Sequence, residues 1–402
     1  MRISTSSRKS ITMQRMPKSS NSMRHILLAV AIAGYGSLCA AAEPSNFDLM
    51  FKRTEPRDFE RNPEEVLPLL EEAGTWYTQI ASTTVYQNAS ASNTGIDKLL
   101  NTSYSFGGAW EPINNGYISW WLRGGRPIGE NRDTNLSQEI GAVLDSNASL
   151  ESNALYLKEL YWAHHVGESF RYSVGWIDSS YRYDFNIAAN DDASAFLASP
   201  LVNSPTIPFP NSGVGADFLW KFNESLSIHA GIYQTNCDEE NFECAITVEN
   251  DELLAPIELI YSKAPGLLGT GNYRFLAFTT KENNREGSGW SVSIDQEIGR
   301  FIPFARVSSG NSEITKVKKF FSAGTVFTSP LGRQWDKVGI GYAHGKPSNN
   351  AQRDESMFEL FWLLQLTPII AVTPDVQVIK NPADNPDESR IWVVGARLQL
   401  DF

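Results

Sequence analysis

The side chains of this sequence that could act on a solute recur at alternate positions of short runs. Arg123 stands on the same parity as Trp121, Glu159 as Tyr161, and His229 as Tyr233. Arg171, Asp217, Glu258, Asp295, Arg306, Glu359, Gln377 and Arg397 occupy comparable places in other runs. A guanidinium offers a planar fork of donors, a carboxylate or amide accepts, and an aromatic ring stacks on an apolar face. Lining a narrow passage, such groups would hold an uncharged polyhydroxylated molecule weakly and release it. Any wetted wall could carry them for solvation alone, but as a set they read as arginine ladders facing carboxylates. Catalysis is poorly served by comparison. No Gly-x-Ser-x-Gly is present, no serine is tied by spacing to His164, His165, His229 or His344, and Asp178 with Asp184 is a weak basis for a glycosidase. We expect no enzyme, no cofactor and no metal. Cys237 and Cys244 share an acidic stretch without four ligands at metal spacing, so a loop disulfide is expected there.

The elements that must position these groups are strands. From Trp76 onward about sixteen runs alternate with period two. Ile118, Trp120 and Leu122 alternate with Ser119, Trp121 and Arg123, and Trp290, Val292 and Ile294 with Ser291, Ser293 and Asp295. The runs Phe358 to Leu366 and Trp392 to Phe402 repeat the pattern. Each strand has one oily and one wet face, as a membrane barrel requires. Connections alternate too: short at 111–116, 165–169, 222–225, 298–300 and 366–369, long and polar at 124–152, 178–212, 235–253, 345–354 and 380–389. The expected fold is therefore all-β, a transmembrane antiparallel barrel. The long stretch from Asp178 to Ser212 carries Tyr181, Tyr183, Asp184, Phe185, Asn186, Asn190, Asp191, Asp192 and Phe196. Its apolar rings would be exposed in a surface cap, so it is expected to fold into the lumen. Before the strands, Asn62, Pro63, Glu64 and Glu65 open a short helix that Gly74 can end.

Composition agrees. The 402 residues are 42% hydrophobic and 20% charged, with 29 Gly and 11% aromatic residues. A mean hydropathy of -0.28 excludes a bundle of membrane helices. Met23-Arg24-His25, the apolar run Ile26 to Ala33 and Ala40-Ala41-Ala42 read as a cleaved signal peptide. Its removal takes away six Lys+Arg and no Asp+Glu, moving the net charge from -12 to -18 and disfavouring nucleic acid. The expected organisation is a leader over 1–42, a periplasmic segment with the helix over 43–75, and an outer-membrane barrel over 76–402. Phe402 follows an amphipathic strand directly, a position at which the barrel-assembly machinery is expected to recognise it.

Four groups of segments form an ordered set: Leu366-Thr367-Pro368, Val372 to Ile379 with Asn381-Pro382, and Val394 to Phe402; Leu157 to Tyr161, Asp184-Phe185-Asn186 and Ala193 to Phe196; Gly271 to Phe275 and Gly332 to Asp336 with Gly339 to Tyr342; and Glu71 to Gly74. On these segments the chain resembles the carbohydrate-selective porin family (OprB type) of Gram-negative outer membranes. It departs where a Trp-Gly-Gly stretch is absent from the helix and where Trp176 follows Gly175 in place of a basic residue. The resemblance implies passive diffusion of small sugars through a constricted pore in the outer membrane. Its lining would include Arg123, Glu159, Tyr161, Arg171, Asp184, Asn186, Arg306, Glu359, Gln377 and Arg397. Outer-membrane lipid and lipopolysaccharide would surround a monomer or homotrimer. A channel for another small solute is the alternative, and an outer-membrane or secreted hydrolase a remoter one.

Overall fold

The computed structural model describes residues 63–128, 135–147, 155–190, 193–237, 252–263, 269–311 and 313–402. The expected leader, Asn62, Glu130, Asp191, Asp192 and Cys244 lie outside the described residues.

A helix α1 (Pro63–Ala73) comes first and stops at Gly74, whose φ of +99° is a conformation that glycine adopts without penalty. Sixteen strands follow among the described residues: β1 (Trp76–Ala89), β2 (Lys98–Ile113), β3 (Gly116–Pro127), β4 (Tyr156–Val166), β5 (Phe170–Ile177), β6 (Gly213–Lys221), β7 (Leu226–Gln234) and β8 (Leu253–Lys263), then β9 (Gly271–Glu282), β10 (Arg285–Gln296), β11 (Phe301–Gly310), β12 (Val317–Thr328), β13 (Lys337–Pro347), β14 (Glu355–Thr367), β15 (Ile370–Lys380) and β16 (Arg390–Asp401). Each pairs antiparallel with the next, and β16 returns to β1, so the sheet closes into a barrel. Closure runs from Ala89 opposite Val393 to Ala81 opposite Asp401. It ends with the Phe402 amide donating to the Ile80 carbonyl at 2.8 Å and the Ile80 amide donating back at 3.1 Å.

The period-two pattern explains which way the sheet curls. In β16 the odd positions Val393, Gly395 and Arg397 are buried, while Trp392, Val394 and Leu398 are exposed. The same outward exposure of Ile80, Leu160, Val174, Ile232, Leu259, Phe275 and Phe358 makes an apolar band that only lipid would cover. No described helix is long and apolar enough to cross a membrane.

Among the fully described links, the alternation of short and long breaks at two places. On the long-loop rim, β9 and β10 are joined by Asn283 and Asn284 alone, with φ of +51° and +60°. Two successive left-handed residues make a tight hairpin whose twist matches the strands, and asparagine tolerates that conformation. On the opposite rim, β12 and β13 are joined by 329–336, a longer turn held by Arg333 Nε on Asp336 Oδ2 at 2.6 Å.

Inside the barrel, α1 buries Val66 and Leu70 in one apolar cluster with the inward-facing Ala109, Tyr117 and Ala163. These lie near the short-turn ends of β2, β3 and β4. The helix is thus packed into that mouth and does not stand clear of it. A second cluster joins wall residues Phe304, Phe361 and Ala343 to Phe196 and Leu201 of the stretch between β5 and β6.

Candidate functional site: a constriction pinned to the wall

The stretch between β5 and β6 folds inward, and its path can be followed strand by strand. Asp178 caps a 3-10 turn (Ser179–Tyr181) by accepting from the Ser180 amide at 2.8 Å, and it meets Lys158 Nζ of β4 at 2.8 Å. Burial alone would raise the Asp178 carboxyl, but Lys158 and the Ser180 donors outweigh it and hold the group below its ordinary range. Tyr181 then receives a hydrogen bond from Arg123 Nη1 of β3 at 2.7 Å and lies against Trp121, ring centres 5.5 Å apart.

Arg182 inserts between two walls. Its guanidinium lies 4.4 Å from the centre of the Tyr161 ring, 3.4 Å from Glu159 of β4 and 3.5 Å from Asp217 of β6. Asp217 is shared with Arg171 of β5 at 3.4 Å and with His229 of β7 at 3.2 Å, and it accepts from Tyr233 Oη at 3.2 Å. Tyr183 stacks on His229 with ring centres 4.4 Å apart.

Asp184, at φ +58°, is the next anchor. Its carboxylate accepts from Ser291 Oγ of β10 at 2.8 Å and from the Ser204 amide at 3.0 Å, and lies 3.3 Å from Arg306 Nε of β11. Its own amide donates to Glu258 of β8 at 3.0 Å, and Glu258 in turn pairs with Arg274 of β9 at 2.9 Å. Asn186 Nδ2 donates to the Ile294 carbonyl at 3.2 Å, and the Ile187 amide donates to Asp295 at 3.3 Å. Arg306 also donates to the carbonyls of Leu201 and Ala189, both at 2.7 Å, and of Asp184 at 3.1 Å. On the far side, Glu359 of β14 accepts from the Leu197 and Ala198 amides at 2.6 and 2.8 Å, and Arg397 of β16 donates to the Ala195 carbonyl at 2.8 Å. Two wall glycines give the loop room: a Cβ on Gly310 would lie 2.3 Å from the Thr206 carbonyl oxygen, and one on Gly341 would lie 2.7 Å from the Leu201 side chain.

A second inward stretch lies beside the first. A short helix α2 (Leu136–Ile140) is capped by Asn135, and Ser146 in the turn beyond it offers its carbonyl to Gln377 of β15 at 2.9 Å and Gln87 of β1 at 3.0 Å. Glu355 holds this stretch by accepting from the Val143 and Leu144 amides at 3.0 and 2.8 Å. Burial pushes the Asp145 carboxyl up, against the donors Asn135, Asn147 and Ser137.

All ten side chains singled out in the sequence as pore lining are buried on the inner side. The arrangement differs from ladders opposed across open water. Arg306, Arg397 and Glu359 of the wall direct their hydrogen bonds to the backbone of the inner loop, while Asp184 and Asn186 belong to that loop and bind the wall at Ser291, Arg306 and Ile294. Arg306 is 1% exposed. The participants not singled out include Arg182, Arg274 and Ser291, and also Lys158, Gln87 and Glu355. Arg274 and Ser291 share the wet parity of their strands and could have been read, whereas Arg182 sits in irregular chain with no period to mark it. The loop edges left accessible are Ile187, 38% exposed, with Tyr181, Phe185 and Asn190 half-buried. The Arg274 guanidinium lies 5.3 Å from the Phe185 ring centre. Cys237 is disulfide-bonded, next to the start of β6.

A closed barrel of sixteen strands narrowed by an inward loop has close counterparts among known proteins. The family model described as "Carbohydrate-selective porin, OprB family" matches residues 279–402. The structure of Pseudomonas putida OprB at high pH superimposes with a TM-score of 0.68 at 14% identity, covering 84% of this chain and 96% of that one. The fold is that of an OprB-type porin, and the last third of the chain carries that family's pattern. The anion-selective porin from Comamonas acidovorans shares the fold at lower similarity, with a TM-score of 0.50 at 9% identity, covering 81% of this chain and 99% of that one. Among sequence relatives, Porin AaxA of Chlamydia pneumoniae is 26% identical over 237 residues, 56% of this chain and 54% of that protein. The chain thus spans about half the length of the Chlamydia relatives it matches. An uncharacterized protein of Aquifex aeolicus is 24% identical over 327 residues, 80% of this chain and 93% of that one.

Proposed function

We propose that this porin admits small carbohydrates by passive diffusion, with the inner loop between β5 and β6 as the selecting constriction. One observation carries the reading: the loop edge presents the half-buried rings of Tyr181 and Phe185, the first hydrogen-bonded through its hydroxyl to Arg123 and the second beside the Arg274 guanidinium. Rings that stack on a sugar face next to donors for its hydroxyls bind such a solute weakly, as transport requires. The description of the matching family as carbohydrate-selective supports the same solute class. In this reading Arg123, Glu159, Tyr161, Arg171, Gln377 and the loop anchors act on the solute by setting the position of that edge. The leader over 1–42 directs export and is removed.

Liposome swelling with the purified full chain tests the solute class. Neutral mono- and disaccharides are expected to enter faster than acidic sugars or amino acids of similar size. Equal or faster entry of amino acids would overturn the carbohydrate reading and leave a channel for another small solute.

A further inference from the structure

Outward-facing cross-strand neighbours near the long-loop rim are of two kinds. On β9 and β10, Lys281 faces Glu286, opposite charges across the ladder. On β12 and β13, Lys319 faces Lys346, and on β15 and β16, Lys380 faces Arg390. All four of these basic residues are exposed, and among the described residues none forms an ion pair with a carboxylate. Like charges directly opposite one another destabilise a sheet. Two such pairs within five strands therefore leave the barrel with an anion to gain.

The register places further groups with them. His344 faces Ser356 and Ser356 faces Lys380, so His344, Ser356, Lys380 and Arg390 form one row across β13 to β16. His344 Nδ1 and Ser356 Oγ are 2.9 Å apart. The next outward row away from the rim is Tyr342, Phe358, Val378 and Trp392, with the three aromatic residues exposed. Aromatic girdles mark the membrane interface in barrels. The basic groups thus lie on the rim side of the girdle, at headgroup level. Asp354, Asp387 and Glu388 lie in the neighbouring loops and reduce the local positive charge without pairing with these four.

We propose that this face of β12 to β16 binds a diphosphorylated glycolipid of the surrounding leaflet, one phosphate between Lys319 and Lys346 and the other between Lys380 and Arg390. The two pairs are three strand spacings apart, about 14 Å around the wall. Two phosphates on one headgroup can bridge that span while the acyl chains lie along Tyr342, Phe358 and Trp392. The inference needs the barrel in the outer membrane and is independent of which solute the channel admits.

Native mass spectrometry of the full chain in detergent, titrated with diphosphoryl lipid A, monophosphoryl lipid A, phosphatidylglycerol or inorganic phosphate, tests it. Diphosphoryl lipid A is expected to bind one per barrel and more tightly than the others. The variant K319Q/K346Q/K380Q/R390Q is expected to bind it at least about tenfold more weakly, since each basic group near a lipid surface contributes a share of the attraction. A control, K221Q/K263Q/R300Q/K337Q, which removes four charges at the opposite rim, should retain binding. Equal loss in both variants, no loss in the first, or displacement by equimolar inorganic phosphate would overturn the proposal. Heat-modifiable mobility reports folding. Should the quadruple variant fail to fold, K319Q/K346Q and K380Q/R390Q made separately should each reduce the preference for two phosphates over one, and an unchanged preference in both would overturn it.

Discussion

Arg306 donates to three loop carbonyls and faces a buried carboxylate, so its guanidinium is committed to holding the inner loop. Removing one partner of a buried ion pair leaves an uncompensated charge, at a cost of about 3–5 kcal/mol. Arg306→Ala is therefore expected to loosen the loop, raising single-channel conductance and its noise in planar bilayers while weakening any block by sugars. Unchanged conductance and block would show that the remaining anchors suffice. Asp178 adds a pH dependence. Its carboxyl is held below the ordinary value of 3.8, so the stability it contributes is present above that value and lost as pH falls through the folded-state one. Asp145 is shifted up and has the opposite sign: its contribution is present at low pH and lost as pH rises through its raised value. Loop opening in the wild type should accordingly begin below about pH 4, and Asp178→Asn should blunt that response in conductance against pH. A wild-type acid response that persists in Asp178→Asn would assign it to another group. At this scale the sequence was half legible. Parity identified the wall residues, because a period of two sorts them without knowledge of the fold. Their partners were hidden, since Arg397 meets Ala195 across 202 positions of chain and no local pattern encodes such a contact.

The element most altered between sequence and structure is α1. Pro63 and Gly74 marked its ends, yet its place inside the mouth came from Val66 and Leu70, one turn apart on the same helix face. A two-residue apolar stripe does not say what it will meet. Truncating a buried leucine costs about 2–5 kcal/mol, and burying a carboxylate there would cost more. Leu70→Asp is expected to release α1, seen as new proteolytic cleavage within 63–75 while the barrel remains intact. Resistance equal to wild type would mean that the helix is held by other contacts. The tight Asn283–Asn284 link was not read as a turn because it sits in a polar run, Lys281 to Glu286, whose ends look like continuing loop. The inward course of the stretch between β5 and β6 was legible, because rings such as Phe196 had nowhere else to be buried; it packs 5.0 Å from Phe361 and 5.5 Å from Phe304, centre to centre.

For the whole molecule, closure rests on a ladder between the first and last strands that ends in the paired backbones of Ile80 and Phe402. Deleting Phe402 removes two of those hydrogen bonds and an aromatic group, and is expected to lower the heat-modifiable folded fraction in membranes. An unchanged fraction would show that closure is secured by the ladder above it. Sidedness is open to a parallel check. Cysteine placed at Asp384 is expected to react with an impermeant reagent on intact cells, and cysteine placed at Asn223 to be protected. The reverse pattern would invert the barrel. The inner loop has one more effect at this scale. It is fastened to β3, β4, β6, β8, β10, β11, β14 and β16, so it works as a cross-brace that keeps a thin-walled tube from flattening under lateral pressure. The same stays set the bore and stiffen the cylinder. Redesign aimed at the anchors would change both together, whereas replacements at the accessible edge, Phe185 and Ile187, would retune the bore of a tube that keeps its roundness.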